Sequence, residues 1–330
     1  MSAERAAEVA GFLARAGYGD ARLTQIKGDV SARRYARLSR GCDTAILMDI
    51  PAHADEDTVL FRALSEWLCE GGLSAPRVLA SEPDKGLSIL EDFGEALYAR
   101  TCDVNPSLEA ALYDAAIDAI VHLHGLAHET APDIPAYDPE FALSESRLAL
   151  EWFVPWRLGR ATTAAEDAAF TAAFAAEITP HLAEDVVVLR DYHAENLFWL
   201  PERAGPARVG IIDFQGARRG AVAYDLASLL TDARRDVSPA VRARAVARYC
   251  RETGHDHTAT SAAIAALSVQ RNLKILGIFA RLATRDGRAD YLSFIPRVIR
   301  YLTTDLATQG LTGMAAAVAG IINDDTVQQR

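Results

Sequence analysis

What this sequence lacks narrows it first. It has no basic excess: 45 acidic residues against 34 basic ones give a formal charge of −11. That balance argues against a nucleic-acid backbone as the main ligand, because a chain of phosphates selects a basic footprint. Cysteine is scarce. Cys42, Cys69, Cys102 and Cys250 form no CxxC pair and no zinc-like spacing, so they read as small buried hydrophobes of a reducing compartment. No uninterrupted apolar run approaches the ~20 residues that span a bilayer, and the opening stretch, which carries Glu4 and Glu8, lacks the apolar core of a secretory signal. The expectation is a cytoplasmic protein with neither a membrane nor a nucleic-acid partner. What is present is a chain of 330 residues, 50% hydrophobic and 24% charged, enough for a large core and for two lobes sharing a cleft.

Periodicity divides the chain into two parts. Helical spacing over residues 2 to 16 is followed by strand-like runs at Leu23 to Lys27, Arg34 to Leu38 and Thr44 to Ile50. The turn Gly28-Asp29-Val30-Ser31 lies between the first two runs; its amides could approach a phosphate, and it equally suits an ordinary hairpin. A helix over 55 to 70 and short strands at Val78 to Ala80 and Leu87 to Leu90 complete a small mixed lobe, residues 1–93. Beyond it, Ser107 is a candidate cap for a helix running to His128. Further helices are expected at Asp138 to Trp156, Ala164 to Leu182, 225 to 233, 238 to 252, 258 to 285 and 287 to 304, so residues 94–330 form a mainly helical lobe. His122, His124 and His128 raise the question of a metal, but without an HExxH arrangement they read as packing or surface positions. Trp152, Phe153 and Trp156 suit core packing better than an acceptor cleft.

The chemistry concentrates in LRDYHAENLFWL (189–200) and VGIIDF (209–214). Asp191 and Asn196 are five residues apart around a short turn, and Asp213 ends a second apolar strand. A carboxylate that accepts a hydroxyl proton, with an amide and a second carboxylate holding Mg2+ on phosphates, is the set that phosphoryl transfer requires. A lone Asp or Asn after a strand is more often a turn former; the full spacing is far more specific.

These two stretches resemble the aminoglycoside phosphotransferase and choline kinase group, relatives of protein kinases. GDVSARRYARL, AILMDIPA, ILEDFG, IIDFQGARRGAVAYDLASLLTDAR and QRNLKILGIFARLATRDG are similar, within that group, to the anomeric sugar kinases of cell-wall recycling, which act on the C1 hydroxyl of N-acetylmuramate and N-acetylglucosamine. The resemblance implies an α+β, protein-kinase-like bilobal fold with ATP and Mg2+ as cofactors, and an amino sugar as the substrate of a monomeric enzyme. By position, Asp191 would be the catalytic base, Asn196 and Asp213 the metal ligands, Gly28, Asp29 and Ser31 the phosphate-covering loop, and Ile89, Glu91 and Phe93 the hinge that meets adenine. Three departures stand out. Leu189 replaces a structural histidine, and Gln215 replaces a glycine. Met48 occupies the strand position where a kinase lysine pairs with the α- and β-phosphates. Arg33, Arg34 and Lys27 are the nearby cations, with Arg34 favoured. His193 and Glu195 are candidates for sugar hydroxyls or for bracing the loop, and Arg271 and Lys274 for the lactyl carboxylate of muramate or for plain exposed charges. Asp225 is expected to anchor the following helix and steady the metal loop. The competing expectations are a kinase of an aminoglycoside, choline or another small alcohol, and a catalytically weak nucleotide-binding module.

Overall fold

The structure, a computed structural model, describes residues 2–26, 33–51, 58–183, 186–308 and 310–322. Ser2 caps α1 (Ala3–Arg15) by accepting the Arg5 N–H, and Val9, Phe12 and Leu13 form the helix's buried stripe. A sheet follows, made of β1 (Arg22–Ile26), β2 (Arg34–Arg40), β3 (Asp43–Asp49), β4 (Val78–Glu82) and β5 (Leu87–Glu91), in the order β1-β2-β3-β5-β4 with every pairing antiparallel. Between β3 and β4 lies α2 (Thr58–Glu70).

Strand alternation gives this sheet two different faces. Ala36, Leu38, Ala45, Leu47, Leu87 and Ile89 point to α1 and close a small core with its stripe. Residues of the other parity, Met48 with the half-buried Tyr35 and Ile46, face α2 and join the much larger core. Arg34 pairs across the ladder with Asp49, and Tyr35 with Met48.

The second lobe is mostly helix: α3 (Tyr98–Val104), α4 (Glu109–His124), α5 (Pro139–Ser146), α6 (Val154–Leu158), α7 (Ala164–Glu177), α8 (Ala223–Leu230), α9 (Pro239–Thr253), α10 (His257–Arg285), α11 (Ile295–Leu306) and α12 (Thr312–Ile322). Two short antiparallel ribbons are set among them, β6 (Val186–Val188) with β9 (Arg218–Gly220), and β7 (Leu197–Trp199) with β8 (Val209–Ile211). The fold is α+β, a small β-rich lobe on a mainly helical one. α10 is long and apolar enough to cross a membrane by composition, yet 83% of its apolar window is buried inside the fold. One continuous core links the lobes, running from Met48, Phe61 and Leu64 through Phe214 to the helices behind. Phe61 of α2 stacks on Phe214, with ring centroids 5.1 Å apart.

Several local expectations need correction. Ser107 does not cap α4; its hydroxyl turns back to Asn105 Oδ1 at 2.6 Å, and a 3-10 turn (Pro106–Leu108) leads into the helix. The helix expected from Asp138 to Trp156 is broken: α5, capped by Asp138, gives way to a π-helical segment, Ala149–Phe153, and then to the short α6. Gly277 of α10 approaches so closely that a Cβ there would lie 2.2 Å from the Leu148 carbonyl carbon. Cys42 is exposed rather than buried, while Cys102 and Cys250 are buried. His122 Nε2 lies 2.6 Å from the Gly71 carbonyl oxygen, and His124 Nδ1 lies 3.0 Å from the Tyr249 hydroxyl.

Candidate active site

The floor of the cleft begins where β6 ends. Leu189 is buried, and its N–H and that of Arg190 donate to the two carboxylate oxygens of Asp225, at 2.7 and 2.8 Å. Asp225 sits in the first turn of α8 with no exposure. Burial pushes its carboxyl up to about 7, against the lowering effect of those two hydrogen bonds. It therefore grips the loop that carries Asp191, where the sequence suggested the metal loop.

Arg190 and Asp213 are the two non-glycine residues, among those described, with left-handed backbone, φ 69° and 62°. Such conformations cost of order 1 kcal/mol or more and persist where surrounding bonds impose them. Arg190 is imposed upon heavily: Asp225 holds its N–H, Ser228 donates to its carbonyl at 3.2 Å, and its guanidinium reaches Glu145 and the Gly216 carbonyl. The turn presents Asp191 to the cleft with its side chain 40% exposed.

Asn196 is the joint of the site. Its Nδ2 donates to the Asp191 carbonyl at 2.9 Å and lies 3.4 Å from Asp213 Oδ2, and its own carbonyl accepts the Ile212 N–H at 3.0 Å. The amide nitrogen is thus turned inward, which leaves Oδ1 as an acceptor beside the Asp213 carboxylate. Gln215 donates to Asp213 Oδ1 at 2.6 Å, so the residue replacing the glycine orients this carboxylate. One amide oxygen and one carboxylate form a hard donor set of the kind that suits a divalent cation keeping waters and phosphates as its other ligands.

Electrostatics separate the two acids. Burial pushes Asp191 up, but Lys274 and then Arg271 pull it back, and it ends below the ordinary carboxylate range. Arg271 Nη2 lies 3.9 Å from Asp191 Oδ1. Asp213 is raised, first by burial and then by repulsion from Asp191. Two carboxylates facing one cleft in this way favour a cation between them.

The other expected site residues are placed as follows. Gly28, Asp29, Ser31 and Lys27 lie outside the described residues. Arg34 points to the α1 side, where its Nη2 pairs with Asp49 at 3.1 Å; its parity on β2 removes it from the cleft. Arg33, of the other parity, is buried, with Nη1 3.8 Å from Asp213 Oδ1. Ile89 is fully buried in the α1-facing core, so its side chain is not at the cleft. Glu91 forms an ion pair with Arg203, and Phe93 lies edge-on to Phe198, ring centroids 5.7 Å apart, over Gly210, where a Cβ would meet its ring at 2.7 Å. Both side chains fasten the lobe junction. His193 is buried, with Nε2 3.4 Å from Asn196 Nδ2, and burial lowers its pKa to about 4; Glu195 is exposed. Arg271 is buried, and Lys274 pairs with Glu145 at 3.0 Å, so neither is a plain exposed helix charge.

A β-rich lobe stacked on a helical one, with an acid and an amide on one loop and a second acid on the next ribbon, defines an ATP-dependent phosphotransferase of protein-kinase-like fold. A putative aminoglycoside phosphotransferase from Ralstonia eutropha shares that fold, with a TM-score of 0.63 at 15% identity over 91% of this chain and 93% of that one. The chain belongs to the phosphotransferase enzyme family, whose sequence signature matches residues 22–262. It is 40% identical to an N-acetylmuramate/N-acetylglucosamine kinase of Caulobacter vibrioides, across 96% of each chain. It is 32% identical to one of the same name from Pseudomonas aeruginosa, across 88% of this chain and 86% of that one.

Proposed function

We propose that this enzyme transfers the γ-phosphoryl group of ATP to the anomeric C1 hydroxyl of N-acetylmuramate, N-acetylglucosamine or both, in the cytoplasm, as a step in reclaiming cell-wall sugars. The single observation that supports this best is the Asn196 side chain, bonded to the backbone of Asp191 and adjacent to the carboxylate of Asp213. It sets a proton acceptor and a cation-binding pair at one cleft, as alcohol phosphorylation demands.

In this reading Asp191 takes the proton of the C1 hydroxyl as that oxygen bonds to the γ-phosphorus and the bond to the bridging oxygen of ADP breaks. Lys274 and Arg271 keep Asp191 ionised beforehand, so it is ready to accept at neutral pH. Asn196 and Asp213 would hold Mg2+, which neutralises phosphate charge when bound. Arg271, buried beside Asp191, is the cation we assign to a lactyl carboxylate; Lys274 acts with Arg190 through Glu145 to fix the floor. His193 braces the loop from beneath Asn196. Glu91 and Phe93 hold the hinge in place, which leaves adenine to the backbone there.

The test is ATP-dependent turnover on both amino sugars, with an aminoglycoside and choline as competitors and phosphorus NMR of the product. The expected product carries phosphate on the anomeric oxygen. Label found only on the C6 hydroxyl, or turnover of choline alone, would reject the assignment.

A further inference from the structure

The two carboxylate oxygens of Asp213 meet different surroundings. Oδ1 accepts Gln215 Nε2 at 2.6 Å, and Arg33 Nη1 lies 3.8 Å from the same oxygen. Oδ2 is approached, among the described residues, by Asn196 Nδ2 at the longer distance of 3.4 Å. An amide this close to a carboxylate is at the short, strong end of such bonds. One oxygen is therefore engaged, and the other is the one that opens toward Asn196.

The backbone leaves Gln215 little freedom to be elsewhere. Asp213 is held in left-handed backbone at φ 62°, and Phe214 is buried in its stack on Phe61. The Ala217 N–H closes a turn onto the Phe214 carbonyl at 2.9 Å, and the Gly216 carbonyl accepts Arg190 Nη1 at 3.1 Å. Both flanks of Gln215 are thus fixed, and its amide reaches Oδ1 from a set origin. The placement has a cost: Gln215 Oε1 is buried and, among the described residues, accepts no hydrogen bond. A buried acceptor without a donor subtracts from stability, so the bond to Asp213 is what this side chain contributes. A glycine at this position has no such donor and leaves both oxygens of the carboxylate available.

We infer that Gln215 selects the cation: by engaging Oδ1 it makes Asp213 a one-oxygen ligand, which suits Mg2+ and penalises Ca2+. The inference rests on the reading of Asn196 and Asp213 as the metal pair, and it is independent of which sugar is the acceptor. A carboxylate binds a cation through one oxygen or through both. Ca2+ takes about 6–8 oxygens in flexible geometry and readily uses both, whereas Mg2+ is smaller, demands an octahedron and keeps waters and phosphates beside one or two carboxylates. Chelation by both oxygens of Asp213 requires Gln215 Nε2 to give up Oδ1, the oxygen that Arg33 also faces. Ligation through Oδ2 alone keeps the Gln215 bond and lies beside the Asn196 amide. Gln215 is accordingly a positioning residue, acting on the cation through Asp213.

The experiment titrates Mg2+ and Ca2+ by calorimetry into the full-length enzyme saturated with a nonhydrolysable ATP analogue, with the analogue alone as reference. Wild type is compared with Gln215→Met, which keeps length and loses the donor, and with Gln215→Gly; thermal melting accompanies each. The wild-type complex should discriminate against Ca2+ more strongly than the analogue does by itself. Both variants should bind Mg2+ more weakly, by about tenfold or more, while Ca2+ affinity holds or rises, so the ratio of the two falls. A ratio that stays constant, whether both affinities hold or fall together, would overturn the inference, as would a ratio that moves the other way. Wild type that takes Ca2+ as readily as Mg2+ would overturn it without any variant. Wild-type protein whose affinity for the analogue is indifferent to divalent cations would instead defeat the metal-assisted phosphotransfer reading itself, a distinguishable outcome.

Discussion

The floor and the roof of the cleft are built on different principles. On the floor, several polar groups are held by bonds to neighbours or to buried carboxylates. Asp225 holds two amides of the loop, Asn196 ties Asp191 to Asp213, and Glu145 gathers Arg190 and Lys274. On the roof, the one sheet sends alternate residues to opposite faces, and a residue's use follows from its parity alone. Arg33 and Arg34 are adjacent in the chain, yet one points at Asp213 and the other at Asp49. Bonds of this kind preorganise the floor, whereas the roof sorts its side chains by face alone.

The sharpest way to break this contrast is at Asp191, the proposed base. Asp191→Ala should lower turnover by about 10² to 10⁴-fold with Mg·ATP affinity and melting temperature near wild type, because the side chain opens on the cleft. Turnover unchanged in steady-state assays would remove Asp191 from the mechanism. Next in size is the contact that joins floor to roof. Phe214→Ala deletes a fully buried ring stacked on Phe61 and should cost about 3–5 kcal/mol of stability. Urea unfolding should show it, and a loss below about 1 kcal/mol would mean that the lobes are coupled elsewhere.

The floor was legible in the sequence because its information is local. Asp191 and Asn196 are separated by a single turn and Asp213 by a single ribbon, so their spacing almost fixes their meeting. The roof was legible in outline, as strands and a helix in the right order, but which face each of its side chains takes was not. Arg34, favoured for its place on the strand just after the glycine turn, pairs with Asp49 on the α1 side, and Ile89, assigned to the hinge, turns its side chain into the α1 core. The break in the helix after α5 was invisible for another reason. It lies where Gly277 crosses close over Leu148, a contact between residues more than a hundred positions apart.

A smaller effect tests how the floor is held. The Asp225 carboxyl titrates near 4 in an unfolded chain and at about 7 in the fold. A raised folded value means that its contribution to stability is fully present below about pH 4 and is lost as pH rises through about 7. Asp225→Asn removes that titration and one of the two acceptor oxygens. It should be less stable than wild type at about pH 5, with the gap narrowing by about pH 7.5. Urea unfolding across that window checks it. A constant gap would show that the carboxylate stays ionised in the fold, gripping the loop as an anion.

The smallest expected effects lie on the back of the roof, and they complete the contrast between its faces. Asp49 accepts Arg5 Nη2 at 2.7 Å and Arg34 Nη2 at 3.1 Å, but the two arginines differ in what else they do. Arg5 is largely buried and also donates to the Ile50 and Lys85 carbonyls, clamping α1 to the ends of β3 and the β4–β5 turn. Arg34 is 39% exposed, and solvent screens its pair. Arg5→Ala should therefore cost about 1–3 kcal/mol, and Arg34→Ala no more than about 1 kcal/mol; both should leave KM for ATP unchanged, because this face of the sheet looks away from the nucleotide. Thermal melts and ATP titrations of the two variants decide the matter. A rise in KM for Arg34→Ala would mean that the strand rotates when nucleotide binds, and the parity that separates the two faces would no longer describe the working enzyme.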